Sequence, residues 1–163
     1  MARATVLSRM LAAYQAAGVI WAVQFAEQLI SVSHNALQQL MLGAYIGFVC
    51  LLVVSAILLW RGDRMGSPLF ALTQIVQVPD AVLGGYLYTL YAPARLTFGI
   101  ELDAAVLKMK FNIGAGCLFG HSTRYPEFVG LNVAPLVAVA VARWRASLAV
   151  ADSRSEARAS TAA

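Results

Sequence analysis

The run from Leu40 to Trp60, LMLGAYIGFVCLLVVSAILLW, has no charged residue and stops at Arg61-Gly62-Asp63-Arg64. About 20 helical residues of this kind cross the hydrocarbon core of a bilayer. The run is apolar on every side, so a helix made from it has no face for water. The chain has 163 residues, 60% hydrophobic and 12% charged, whereas an average soluble domain is about a quarter charged. Together these features place the chain among integral membrane proteins, with the lipid bilayer as its first partner.

Upstream, Met10 to Ile30 is apolar apart from Gln15, Gln24, Glu27 and Gln28. It is too long for the core of a signal peptide and has no small-residue cleavage site, so it is expected to be a first span. A polar loop, SVSHNALQQ, separates the two runs. Downstream, Pro68 to Tyr91 is expected to be a third span, interrupted by Gln74, Gln77, Pro79, Asp80 and Gly84-Gly85. Such interruptions are tolerated in a membrane helix where neighbours satisfy the freed backbone groups. A fourth span starts in Phe128–Ala142 and ends at Arg143-Trp144-Arg145. If Pro135 marks its first turn, then 128–133 is extended chain. The expected fold is mainly α: a four-helix transmembrane bundle with spans near 10–30, 40–60, 68–91 and 130–147. These form one membrane domain over 1–150, and the Ala-, Ser- and Arg-rich 151–163 is expected to be a disordered cytoplasmic tail.

The positive charges set the orientation. Segments 1–9, 61–67 and 143–163 hold eight arginines, while 92–127 holds Arg95, Lys108, Lys110 and Arg124, and 31–39 holds none. That bias predicts both termini in the cytoplasm of a plasma or inner membrane. Trp60 and Trp144 beside the cytoplasmic arginines, and Tyr86, Tyr88 and Tyr91 at the other end, suit interfacial belts. The net charge of +4 is spread over these topology signals and forms no basic patch, so no nucleic-acid partner is expected.

Residues 96–113 break the helical pattern. Leu96, Phe98, Ile100 and Leu102 alternate with polar or small residues, and so do Leu107, Met109, Phe111 and Ile113. Period-two alternation predicts strands, here a small antiparallel β-hairpin on the outer side, turning at Asp103–Val106. Setting Leu102 opposite Leu107, Phe98 opposite Phe111 and Leu96 opposite Ile113 matches apolar with apolar, and Glu101 then meets Lys108. Such pairs contribute roughly 0.2–1 kcal/mol each. The face bearing Phe98, Ile100, Met109 and Phe111 is expected to be covered, as a docking face, and the face bearing Glu101, Lys108 and Lys110 to meet water.

Asp80 is the residue most open to a chemical role, because a charge inside a span costs several kcal/mol. With Gln74 and Gln77 it forms a candidate intramembrane polar site. A structural role at the start of a helix after Pro79 competes with that reading. Glu27 is read as a solvated helix end, and Cys50 and Cys117 lack any redox or metal spacing. His34 and His121 lack the spacing of a metal site, and Gly114, Gly116 and Gly120 lack the context of a phosphate loop. Gly43 and Gly47, and Ala134, Ala138 and Ala142, repeat small residues at four-residue spacing, which lets helices approach within one chain, between copies, or against a membrane-protein partner.

No catalytic motif, metal site or cofactor site is evident. The expected role is therefore a non-enzymatic accessory, assembly or scaffolding subunit. The alternatives are a small oligomeric transporter or ion-pathway subunit using Asp80, and a membrane-embedded enzyme acting on a lipid or quinone.

Overall fold

The computed structural model describes residues 2–32, 36–121 and 124–161. α1 (Ala2–Val32) and α2 (Ala36–Arg61) run antiparallel, with Arg9 over the Trp60 ring at one end and Phe25 edge-on to Tyr45 at the other. Both are long and apolar enough to cross a membrane, over Thr5–Ile30 and Gln38–Arg61. Among the described residues no other helix is, so the expected four-helix transmembrane bundle is overturned.

The proposed third span is a short helix followed by strands. α3 (Gly66–Ile75) covers about 15 Å at 1.5 Å per residue, half the hydrocarbon thickness. Beyond it, β1 (Pro79–Leu83) turns through Gly84 and Gly85, at φ of 56° and 80°, into β2 (Tyr86–Tyr91). Two residues of positive φ make the tight hairpin turn that glycine pairs favour, and the aromatic YLYTLY suits a strand. The proposed fourth span divides likewise. Phe128–Asn132 is a strand, as the Pro135 reading allows, and the helix from Val133 to Thr161 takes in most of the tail expected to be disordered.

The hairpin exists as β3 (Ala94–Glu101) and β4 (Val106–Ile113), but its register differs. Leu96 faces Phe111, Phe98 faces Met109 and Ile100 faces Leu107. The turn is 102–105, with Ala105 at φ 51°. A slide of two residues keeps every side chain on its own face, and Glu101 still reaches Lys108 diagonally at 3.1 Å.

With β5 (Gly116–His121), β6 (Phe128–Asn132) and α4 (Val133–Thr161), the fold is complete. The six strands form one antiparallel sheet in the order β4-β3-β6-β1-β2-β5. The sheet is rolled. β4 and β2 stand four strand spacings apart, about 19 Å if flat, yet Asn112 on β4 donates to the Tyr91 hydroxyl on β2 at 2.7 Å. Gly99 and Gly130 lie opposite each other in the middle strands, and the Phe128 ring fills the space their side chains would take.

The rolled sheet reverses the usual polarity. Its concave face buries Asp80, Thr89, Thr97 and Asn132. Its convex face over β4, β3 and β6 exposes Phe98 (49%), Ile100 (47%), Met109 (66%) and Phe111 (67%). The chain itself leaves the expected docking face open, and of the polar face expected to meet water it keeps Lys108 exposed while Glu101 and Lys110 are partly buried. Alternation separates the two faces of a strand; which face is enclosed depends on the roll of the sheet.

At the β2–β5 end the convex face is covered. Leu90, Cys117, Tyr88 and Phe119 pack on Ala22 and Phe25 of α1 and on Tyr45 and Phe48 of α2. Leu11, Ala12, Leu59, Phe70, Ala138 and Ala142 form a second core joining the other halves of α1 and α2 to α3 and α4. The sheet therefore lies beside the same lengths of helix that are apolar enough to span a bilayer.

A Cβ at Gly99 would strike the Val129 carbonyl oxygen as well as the Phe128 ring, whereas the three atoms nearest one at Gly130 belong to the side chains of Phe128 and Thr97. Gly99→Ala is expected to cost about 1–3 kcal/mol and to lower the thermal midpoint more than Gly130→Ala does. Adding Phe128→Leu should recover part of the Gly130→Ala loss and little of the Gly99→Ala loss. Equal midpoints for wild type and Gly99→Ala in detergent would show that the close approach is absent.

Candidate functional site

On the concave face, Asp80 of β1 sits opposite Gly130 of β6 and Thr89 of β2. Its Oδ1 accepts from the Thr89 hydroxyl at 2.8 Å, and its Oδ2 accepts from Arg95 Nε at 2.9 Å. Arg95 Nη2 closes a second contact on the same oxygen. β6 lies between the two residues in the sheet, so the pair crosses β6 above side-chain-free Gly130. Arg95 also lies over the Tyr91 ring, 5.6 Å from its centroid. The carboxylate is fully engaged by its two neighbours, and the expected cap at a helix start is replaced by a cross-sheet ion pair.

Lys110 of β4 joins this face, its Nζ 3.4 Å from the centroid of the Phe128 ring. Burial lowers its pKa below the ordinary lysine value; Asp80 and Glu101 oppose that shift, while Arg95 and Lys108 add to it. Lys108 pairs with Glu101 nearer the rim. The concave surface is thus a nearly balanced arrangement of charges shielded by aromatic rings.

Gln74 and Gln77 are not beside Asp80 in this network. Gln74 Nε2 donates to Gln15 Oε1 at 3.0 Å, and Gln15 Nε2 donates to Ser55 and Thr73. This buried cluster ties the middle of α1 to the second half of α2 and the C-terminal end of α3. Gln77 donates to the Thr73 carbonyl and accepts from the Ala92 N–H at 2.7 Å, fixing the end of α3 to the β2–β3 corner. Gln24 is exposed on α1. The three candidate residues therefore divide into a helix–helix cluster, a corner clamp and a sheet ion pair.

Other singled-out residues have structural places. The Glu127 carboxylate accepts from the Gly84 N–H, and Asp103 accepts from the Glu127 N–H, joining two turns. Cys117 is buried in the core between the sheet and the α1–α2 pair; Cys50 is exposed on α2. Ala138 and Ala142 pack within the chain, whereas Gly43 and Gly47 have open space beside them. His34 lies outside the described residues, as does the side chain of His121. Among the described residues no three His, Cys, Asp or Glu side chains gather as metal ligands.

Removing one partner of a buried ion pair leaves an uncompensated charge, which costs about 3–5 kcal/mol. Asp80→Asn is therefore expected to destabilise strongly, even though the amide can still accept from Thr89. Asp80→Asn combined with Arg95→Met should recover most of that loss. A thermal melt in which Asp80→Asn matches wild type would mean that the pair adds nothing. Comparison with known protein families, curated proteins and solved structures gives no match for this chain.

Proposed function

We propose that this chain is a multi-pass membrane protein with both termini cytoplasmic. Its role is that of a non-enzymatic accessory or scaffolding subunit that self-assembles through the convex face of β4, β3 and β6. The observation that carries this reading is the inverted polarity of the sheet: charged and polar groups inside, large apolar side chains outside, beside helices long enough to span. Membrane-embedded sheets follow that polarity.

The choice of a second copy as occupant rests on two features. Phe98, Ile100, Leu107, Met109, Phe111, Ile113, Val129 and Leu131 are exposed and present roughly 800–900 Å² in total, the area one partner contributes to a standard interface. The face also ends at β4, a sheet edge whose outward N–H and C=O groups acyl chains cannot satisfy. A strand from another copy can pair with them. An ion-pathway role is less well supported, because both Asp80 oxygens are occupied by Thr89 and Arg95.

Reporter fusions at Gly66 and His121 are expected on opposite sides of the membrane; the same side would overturn the topology. In lipid nanodiscs the protein is expected to run as a dimer. Phe98→Asp with Phe111→Asp should give inserted monomers with the wild-type thermal midpoint. A wild-type monomer, meaning that lipid alone covers the face, would overturn the assembly, and so would a dimer that survives both substitutions. Capture of a different membrane subunit on this face in place of a second copy would overturn it as well.

A further inference from the structure

The end of the molecule opposite the sheet gathers cations. Arg61 and Arg64 flank the turn from α2 to α3 and are exposed. Arg145 of α4 reaches the start of α3, its Nη1 donating to the Ser67 hydroxyl at 2.8 Å. Arg143 lies two residues earlier, about half a turn round α4, on the face that borders the groove between α3 and α4, and its side chain is exposed. Arg61, Arg64, Arg143 and Arg145 show no ion pair among the described residues, and the nearby Asp63 carboxylate is bonded to the Met65 N–H. Arg145 Nε is buried and has no acceptor. A buried charged donor without an acceptor is unfavourable, and the guanidinium fork matches phosphate oxygens better than any other common anion save a carboxylate.

This groove begins at the same place. It holds about 440 Å³ between α3 and α4, with Ser67 and Arg143 at its mouth. Ala71, Leu72, Ile75 and Val139 line the rest. Leu72 and Ile75 are half-exposed apolar side chains on a helix whose other side is buried against the core. The charges are at one end and the rest is hydrocarbon, so water and a free anion each match only part of the groove.

We infer that the groove between α3 and α4 binds one anionic glycerophospholipid, its phosphate at Arg143 and Arg145 and an acyl chain along Leu72, Ile75 and Val139. The inference rests on the membrane reading above. Basic pockets between membrane helices on the cytoplasmic side take such headgroups. The phosphate meets Arg143 and the Arg145 guanidinium at Ser67, where Arg145 already reaches the groove, and the chain covers the apolar wall.

Native mass spectrometry tests this on the full chain released from nanodiscs of equal phosphatidylglycerol and phosphatidylcholine. One phosphatidylglycerol is expected to stay bound, preferred by at least about tenfold, since each basic residue near the headgroup contributes several-fold. Arg143→Gln with Arg145→Gln should abolish the preference. Leu72→Trp fills the groove without changing charge and should also lose the lipid. Arg124→Gln, remote from α3 and α4, should retain it. Thermal midpoints confirm that each variant is folded. Preference unchanged by Arg143→Gln with Arg145→Gln, or lipid retained by Leu72→Trp, would overturn the site. Inorganic phosphate at millimolar concentration displacing the lipid would show a headgroup-only contact and overturn the acyl-chain part. No preference in a protein that the Gly66 and His121 reporters show inserted would sink this inference alone; failure of insertion would sink both readings.

Discussion

The ion pair between Asp80 and Arg95 constrains everything around it. A buried carboxylate and a guanidinium are stable together only if water is excluded and their remaining hydrogen-bonding groups are satisfied. Here Thr89 takes the second carboxylate oxygen and the Tyr91 ring lies against the guanidinium. The pair joins β1 to β3 over β6, so its side chains can meet only on the concave side of a rolled sheet. Gly99 and Gly130 permit that roll, and Phe128 occupies the space they leave. Enclosing the charges forces the apolar side chains of the same strands outward.

The helices divide into two classes that serve this arrangement. α1 and α2 run the full length of the molecule, while α3 and the apolar start of α4 occupy only one half beside them. The sheet fills the other half. Gln15, Ser55, Thr73 and Gln74 hydrogen-bond at the level where the two halves meet. Polar groups in such a place hold the helices in register, because a slide would leave each of them without a partner.

The two long apolar helices, α1 and α2, were legible in the sequence because each is a run of mostly apolar residues of helical length. The strands of 96–113 were legible because two faces of opposite character alternate. Their register was less so: a slide of two residues preserves both faces, and the turn at Ala105 carries no glycine to mark it. The strands of 79–91 stayed hidden because Ala81, Val82, Leu83, Leu87 and Leu90 are apolar on both faces. Asp80 and Thr89 alone mark the polar side, and Gly84-Gly85 reads equally as a helix interruption and as a hairpin turn. Arg95 was missed as the partner of Asp80 for a related reason. It precedes the first clearly alternating residue and counts as a loop charge until β3 is seen to begin at Ala94.

The strand order has a consequence for how the chain is made. β6 is last in sequence but lies between β3 and β1, pairing with both. As synthesis proceeds, the β1–β2 and β3–β4 hairpins emerge complete and wait, each with an edge that only β6 will cover and with Asp80 and Arg95 on separate pieces. The ribosome must deliver Phe128–Asn132 before the two hairpins become one sheet. At roughly 5–20 residues per second, the interval between the end of β4 and the end of β6 lasts on the order of a few seconds. During it, the β1 and β3 edges that β6 will cover are both bare, and a chaperone that shields strands has its window of action there.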